Sequence, residues 1–315
     1  MWISRLYAKY FLKNKQPNDN QIDLQKEKHI IRKLMTSSLE IKKNRLLLMC
    51  VLSAIVYQYN DPTLKAVDKT KTNGTVDKTA IEPVIELQSL KLQDLTDPKQ
   101  TEDFKEVCYY CNLSDDNIDI YNIDNVLIFG IFYINKNLII SFKGSSNLND
   151  FVSDMNFSTT KIHEIYKIKG KVHGGAYDIL FQKERYRFIL DKIEEFSGNT
   201  IYITGHSLGA MTASIFYAFL KEYYSKQPEK KIYLTTFGQP RTGDKTFSDS
   251  IEQIRVVDNN DIIPKVPLPF LFGYSHSNKL LHVGPVKTKN YFFNPQSAIE
   301  DHKIANYYNN IKELK

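Results

Sequence analysis

Ser207 stands in Gly205-His206-Ser207-Leu208-Gly209, a Gly-X-Ser-X-Gly pattern. Four strand-forming residues, Ile201-Tyr202-Ile203-Thr204, run into it, and an apolar helical pattern follows from Ala210 to about Tyr223. The order strand, tight turn, helix is that of a nucleophile elbow. Its backbone is expected to be strained at the serine. Gly205 and Gly209 carry no Cβ and let neighbouring chain pack close on both sides. The free N–H groups and the dipole at the start of the following helix favour an anion. The amide of Leu208 is placed to bind a developing oxyanion. Three fixed positions alone would match by chance in about one chain in ten of this length, at roughly 7% Gly and Ser. The flanking strand and helix supply the specificity.

A serine hydroxyl is a poor nucleophile at neutral pH. It needs a histidine to take its proton and a carboxylate to hold and charge-stabilise that histidine. In a fold with this elbow the chain order is Ser, Asp or Glu, His. The candidate acids beyond a strand end are Asp258 and Asp261. The candidate bases further on are His276, His282 and His302. His206 is too local to reach round to Ser207 and reads as a packing residue beside the elbow.

The elements that must position these groups can be read from periodicity. A helix over 45–59 is stopped by Pro62. Residues 125–133 and 138–142 read as two strands around the turn Asn135-Lys136-Asn137. Residues 147–157 form a short segment with Leu148, Phe151, Val152 and Met155 on one face. After Val172-His173-Gly174-Gly175 comes one helix of about 20 residues. Strands are expected over 231–237 and 254–257, a strand pair near 280–283 and 291–293, and a helix from His302 to about Glu313. Strands alternating with helices indicate an α/β fold, with a central sheet and helices on both faces. In such sheets the site forms at the carboxyl ends of the strands, where Ser207 and Asp261 both fall.

Charge is unevenly spread over the chain. Residues 1–60 hold 11 Lys and Arg against 4 Asp and Glu, while the remainder is close to neutral. A neutral body argues against nucleic-acid binding. Residues 1–15 form a basic amphipathic pattern, with Trp2, Ile3, Leu6, Tyr7, Tyr10 and Phe11 at helical spacing and Arg5, Lys9 and Lys13 on the flank. This suits a helix lying in a membrane interface. A helix docked on the body or a frayed terminus fits it equally well. The most apolar run, 46–57, is about 12 residues where a membrane span needs about 20. Three cysteines, Cys50, Cys108 and Cys111, do not make a disulfide framework, and one Cys-X-X-Cys pair makes zinc unexpected. No secretory signal is evident, since an apolar h-region and a small-residue cleavage site are lacking. The expected location is intracellular or peripheral to a membrane.

Several ordered motifs together resemble the class 3, fungal-type lipases of the α/β-hydrolase fold. They are Gly205-His-Ser-Leu-Gly209, Thr236-Phe-Gly-Gln-Pro-Arg241-Thr-Gly243-Asp, and Arg255-Val-Val-Asp-Asn-Asn-Asp261-Ile-Ile-Pro264. Lys143-Gly-Ser145, Val172-His173-Gly-Gly and Gly273-Tyr-Ser-His276 also fit. The resemblance runs from about residue 45 to the end. It implies an α/β-hydrolase with a central, mostly parallel sheet. It makes Ser207 the nucleophile, Asp261 the acid and His302 the base, and leaves His276 structural and Asp258 a non-catalytic polar residue. It makes Ser145 and Leu208 the oxyanion donors. Segment 147–157, with Leu148, Phe151 and Val152, becomes a lid over the site. Residues 1–44 then form a basic extension, 45–315 the lipase-like domain, and 61–105 a partly flexible insertion. The chain departs from the family in Lys143, where arginine is usual, and in lacking the secreted fungal cysteine pattern.

The implied activity is serine esterase or lipase chemistry on acyl lipids through an acyl-enzyme, with no metal or organic cofactor. Triacylglycerol, monoacylglycerol and phospholipid substrates all stay open. The alternative is a catalytically inactive, lipase-like binding or scaffold protein, because fold does not fix function.

Overall fold

The computed structural model describes residues 38–58, 85–88, 118–134, 136–145, 158–277, 279–285 and 300–314. Helix α1 (Ser38–Ile55) runs into a 3-10 turn, Val56–Gln58. Strands β1 (Ile85–Gln88), β2 (Ile118–Ile123), β3 (Leu127–Ile134) and β4 (Asn137–Phe142) follow. Then come β5 (Thr159–Lys161), β6 (Lys171–His173), α2 (Gly174–Phe181) and α3 (Tyr186–Glu194). From there strands and helices alternate: β7 (Thr200–His206), α4 (Leu208–Tyr223), β8 (Lys231–Phe237), α5 (Lys245–Ser250) and β9 (Ile254–Asp258). The short α6 (Pro269–Phe272), β10 (Leu280–Val283) and α7 (Ile304–Lys312) complete the order.

Eight strands form one sheet in the order β1-β2-β3-β4-β7-β8-β9-β10. The pairs from β1 to β4 are antiparallel. From β4 onward, through β7, β8, β9 and β10, every pair is parallel. Strands β5 and β6 make a separate antiparallel ribbon. The site-bearing half of the sheet is therefore the parallel half, and its carboxyl ends share one edge.

Alternating side chains sort onto the two faces of this sheet. On β4, Leu138, Ile140 and Phe142 enter one core cluster while Ile139 enters the other. On β7, Ile201 and Ile203 join the first and Tyr202 packs on the second. The first core lies under α2, α3 and α4 and includes Leu180, Ile189, Ile193, Ile215 and Phe216. The second lies under α1 and α7 and includes Met49, Leu52, Ile55, Tyr307 and Ile311. Both faces are covered, which is what a parallel sheet requires.

Several elements differ from the sequence reading. The helix read over 45–59 starts earlier, at Ser38, so the boundary drawn at 44/45 falls inside α1. In this added stretch Lys43, half-buried, donates from Nζ to the carbonyl of Leu314, 2.6 Å away. Strand β1 lies within the stretch read as an insertion and pairs with β2. Strand β2 was not expected, because Ile118-Asp-Ile-Tyr-Asn-Ile mixes polar and apolar residues; it is nonetheless buried along almost its whole length. Strand β3 begins at Leu127, not at 125, because Asp124 and Asn125 both adopt φ of 56°. Such a two-residue left-handed turn matches the twist of a hairpin, and the amide of Val126 closes it on the carbonyl of Ile123 at 3.0 Å.

The single long helix expected after His173 is broken in two. Lys183 and Glu184 take left-handed φ of 52° and 54°. Buried Arg185 folds back over the break: its Nη1 donates to the carbonyls of Asp178 (3.0 Å) and Ile179 (3.3 Å). Its Nε lies 3.4 Å from Asp124 Oδ2. The guanidinium thus binds the Ile179 carbonyl in the last turn of α2 and shares that of Asp178 with the Gln182 amide. Neither glycine nor proline marks the break, so periodicity ran straight through it. The strand read at 291–293 lies outside the described residues, as do Cys108, Cys111 and residues 1–15.

Helix α1 is part of the core by this account. Leu52 is fully buried, and Leu52→Ala should lower unfolding stability by about 2–5 kcal/mol. Urea denaturation at fixed pH measures it. A loss under about 1 kcal/mol would show α1 to be peripheral.

Candidate active site

Strand β7 ends at His206 and α4 begins at Leu208, so one residue must turn the chain. That residue is Ser207, with φ 59° and ψ −127°. A non-glycine residue held there costs about 1–3 kcal/mol, which the surroundings must over-determine. The amide of Ser207 donates to the Phe237 carbonyl at 3.0 Å, and its own carbonyl accepts from Ala210 N–H at 3.0 Å. A Cβ on Gly205 would lie 2.5 Å from the Gly209 carbonyl oxygen. One on Gly209 would lie 2.2 Å from the carbonyl oxygen of Phe142, at the end of β4. The two glycines let α4 start hard against β7 and β4, and this close approach holds the turn.

Asp261 follows β9 and is fully buried. Its carboxylate is held by three donors. His302 Nδ1 lies 2.7 Å from Oδ2, the hydroxyl of Tyr307 donates to the same oxygen at 2.5 Å, and the amide of Ile263 donates to Oδ1 at 2.9 Å. His302 sits in the turn before α7 and is itself buried. Gly238, with φ of 56°, makes room for this pair: a Cβ there would fall 2.7 Å from His302 Cε1 and 3.1 Å from Asp261 Oδ2. Ser207 Oγ and His302 Nε2 are both buried, and neither has a hydrogen-bond partner among the described residues. The structure therefore brings Asp261 and His302 into direct contact and draws no hydrogen bond between His302 and Ser207. Such bonds are often long before substrate binds.

The other candidates have different surroundings. Asp258 is buried and accepts from Asn310 Nδ2 at 2.7 Å and Asn259 Nδ2 at 3.1 Å. Burial raises its pKa to about 7 against the opposing pull of Asn310, with Asp301 and Asp261 adding to the rise. His276 Nε2 lies 2.6 Å from the Pro264 carbonyl, and burial first, then Arg255, lowers its pKa to about 3. It is a neutral ring donating to backbone. His282 Nε2 lies 2.7 Å from the Asn259 carbonyl. His173 caps α2 by accepting from Ala176 N–H, and burial lowers its pKa to about 4. Ser145 lies half-buried just past β4, and the Leu208 amide is the first of α4, with no intrahelical partner of its own. The expected lid, with Leu148, Phe151 and Val152, lies outside the described residues. Among the described residues no group of three or more His, Cys, Asp or Glu is arranged to hold a metal ion.

Sequence reasoning missed Tyr307, one of 20 tyrosines in the chain and marked by no motif. It gave Gly238 no role, although a glycine directly after a strand was a usable signal. The motif around Gly238 also carries a buried polar network. Gln239 Nε2 donates to Thr242 Oγ1 at 2.7 Å and to Ser214 Oγ at 3.1 Å, and Thr236 Oγ1 donates to Gln239 Oε1 at 2.8 Å. This network locks the turn after β8 onto α4.

A sheet that is parallel from β4 onward and covered on both faces, a strained serine between its central strand and a buried helix, and a carboxylate–imidazole pair past later strands are arranged as in the α/β-hydrolase fold. Solved structures share the fold. A lipase from Rhizopus microsporus var. chinensis matches with a TM-score of 0.53 at 20% identity, over 86% of this chain and 87% of that one. The Rhizomucor miehei lipase–propeptide complex matches with a TM-score of 0.50 at 23% identity, over 79% and 70%. Residues 139–271 match the family model for lipase (class 3). A curated lipase of Rhizomucor miehei is 31% identical over 151 residues, 46% of this chain and 41% of that protein. The secreted mono- and diacylglycerol lipase 1 of Fusarium solani is 26% identical over 163 residues, 45% and 43%. Over this stretch the chain is similar to the class 3, fungal-type lipases. The aligned stretch spans less than half the length of these two curated relatives.

The environment of Asp258 has a measurable consequence. Its folded pKa of about 7 lies above the usual carboxyl value of about 3.9. The folded state then binds the proton more tightly, so protonation favours folding. That contribution is complete below about pH 4 and is lost as pH rises through about 7. Asp258→Asn keeps the shape without the charge and should make stability fall less than in the wild type over this window. Urea midpoints at a series of pH values measure the difference. Parallel curves for the two proteins would show that Asp258 is ionised throughout.

Proposed function

We propose that this chain hydrolyses carboxylic ester bonds of lipids by acyl transfer through Ser207, with neutral acylglycerols as its substrates. The observation that carries this reading is the buried contact of Asp261 Oδ2 with His302 Nδ1 at 2.7 Å, on the sheet edge that bears strained Ser207. In the proposed reaction His302 Nε2 takes the Ser207 proton as Oγ attacks the ester carbonyl. Asp261 holds the ring in the tautomer that leaves Nε2 free and stabilises the imidazolium that forms. The amide of Leu208 and the Ser145 loop receive the oxyanion. The alkoxide leaves with the proton from His302, and water, activated by the same ring, releases the acid.

The substrate class is supported by chemistry at the rim and by the names of relatives. Ile262, Leu268 and Phe272 are exposed on the segment just past Asp261. They offer an apolar surface beside the acid, suited to acyl chains. The matched relatives carry the names lipase and mono- and diacylglycerol lipase. Residues 1–15, basic and amphipathic, are proposed to add peripheral contact with a membrane.

A fluorophosphonate probe should label the wild type and fail to label Ser207→Ala. His302→Ala should lose about 10⁴- to 10⁶-fold in turnover of a short ester with its circular dichroism unchanged. Labelling that survives in Ser207→Ala would refute the nucleophile. Loss in His276→Ala, with His302→Ala active, would refute the base. An unlabelled wild type would favour a lipase-like scaffold.

Membrane contact is tested separately. Removing residues 1–36, which stops short of α1, should leave turnover of a soluble ester intact and reduce flotation with anionic vesicles. Equal flotation of the full and shortened chains would dismiss that role.

A further inference from the structure

Tyr57 and His206 take no part in the reaction above, yet they connect all of its parts. Tyr57 lies in the turn that ends α1, far outside the stretch matched by the family model. Its hydroxyl is 3.1 Å from His206 Nδ1 and 3.4 Å from the His206 carbonyl. The other ring nitrogen, His206 Nε2, is 2.7 Å from the main-chain carbonyl of His302. The two imidazoles lie with their centroids 4.4 Å apart.

The direction of each bond follows from what each group can do. A carbonyl only accepts, so His206 Nε2 must carry a proton. Burial, and His302 beside it, hold the His206 pKa well below the usual histidine value, so the ring is neutral. Its Nδ1 is therefore a lone pair, and the single Tyr57 proton goes there and not to the more distant carbonyl. The lone pairs of the phenol stay available, and the Gly144 backbone packs closely against the hydroxyl. Gly144 is wedged in place: a Cβ on it would meet Tyr57 Oη at 2.2 Å, the His206 carbonyl oxygen at 2.6 Å and Ser207 Cβ at 3.3 Å. One enclosed hydroxyl thus touches the loop that leads to Ser145 and the residue before Ser207. Through one ring it also reaches the backbone of His302.

We propose that Tyr57 is a positioning residue, which sets the oxyanion loop, the nucleophile and the base relative to one another, with His206 as the relay. This rests on the reading of Ser207 and His302 as nucleophile and base. The three groups come from separate parts of the chain, and a misplacement of about 1 Å among such groups can cost about 100-fold in rate. Removing the hydroxyl leaves a buried lone pair on His206 without its partner and opens the space against which Gly144 is packed, so both shift. Phenylalanine keeps the ring and its packing beside α1.

The test is Tyr57→Phe in the full chain, with a soluble short-chain ester and the fluorophosphonate probe. kcat and the labelling rate should both fall about 10- to 100-fold, while KM and the thermal midpoint stay near wild type. His206→Asn should give a loss of the same size. The double variant should be no worse than either single one, because both break one chain of bonds. A Tyr57→Phe enzyme with wild-type kcat and labelling would overturn the proposal. So would losses that multiply in the double variant, or a fall in activity that only tracks a fall in thermal midpoint. If the wild type itself does not label, the hydrolase reading falls and this proposal with it. Labelling of the wild type and of Tyr57→Phe at equal rates sinks this proposal alone.

Discussion

The structure depends on the close approach of α4 to the ends of β7 and β4. A helix axis normally stands well off a strand, held there by side chains. Here Gly209 brings the first turn of α4 onto the carbonyl of Phe142, and Gly205 brings the last residues of β7 under the same turn. That contact fixes Ser207 in a backbone region a serine does not choose for itself. The strain is carried by the central strand and the most buried helix of the molecule, both locked in a continuous core. An elbow on an edge strand or an exposed helix would relax.

Electrostatics in the site follow from burial. Three histidines nearby are held neutral by loss of solvent: His173, His206 and His276. Each uses at least one ring nitrogen on the backbone or on a neighbouring hydroxyl. His302 instead turns its Nδ1 to a carboxylate. Asp261 and Asp258, three positions apart, also have different partners. Three donors converge on the first, while two side-chain amides face the second. Environment, and not residue type, assigns their parts.

The helical layers also share the work unequally. The face under α2, α3 and α4 supplies bulk and supports the elbow. The opposite face, under α1 and α7, supplies side chains around the candidate site: Tyr57 from the end of α1, His302 from the turn before α7 and Tyr307 from within it. These two elements lie at opposite ends of the chain, and Lys43 is tied to Leu314 across them.

The sequence by itself determined the elbow, the alternation of β7, α4 and β8, and the location of Asp261 beyond a strand end, while Asp258 proves to be the last residue of β9. These are local matters. A strand's period of two, a helix's period of 3.6 and the need for glycine beside a sharp turn are written in consecutive residues. It did not determine the break at Lys183, because the cause is Arg185 reaching back to α2 and across to Asp124. It did not determine β2, whose polar positions are buried only because β1 and β3 flank it. Chain order alone did not choose among His276, His282 and His302, which are equivalent as letters; only the motif resemblance pointed to His302. The folded chain brings the turn before α7 back against Asp261 and turns the other two rings onto backbone carbonyls. Contacts between residues 41 or 151 positions apart, such as His302 with Asp261 or Ser53 with Thr204, leave no local trace. They exist because the sheet order and the two packed layers set which segments meet.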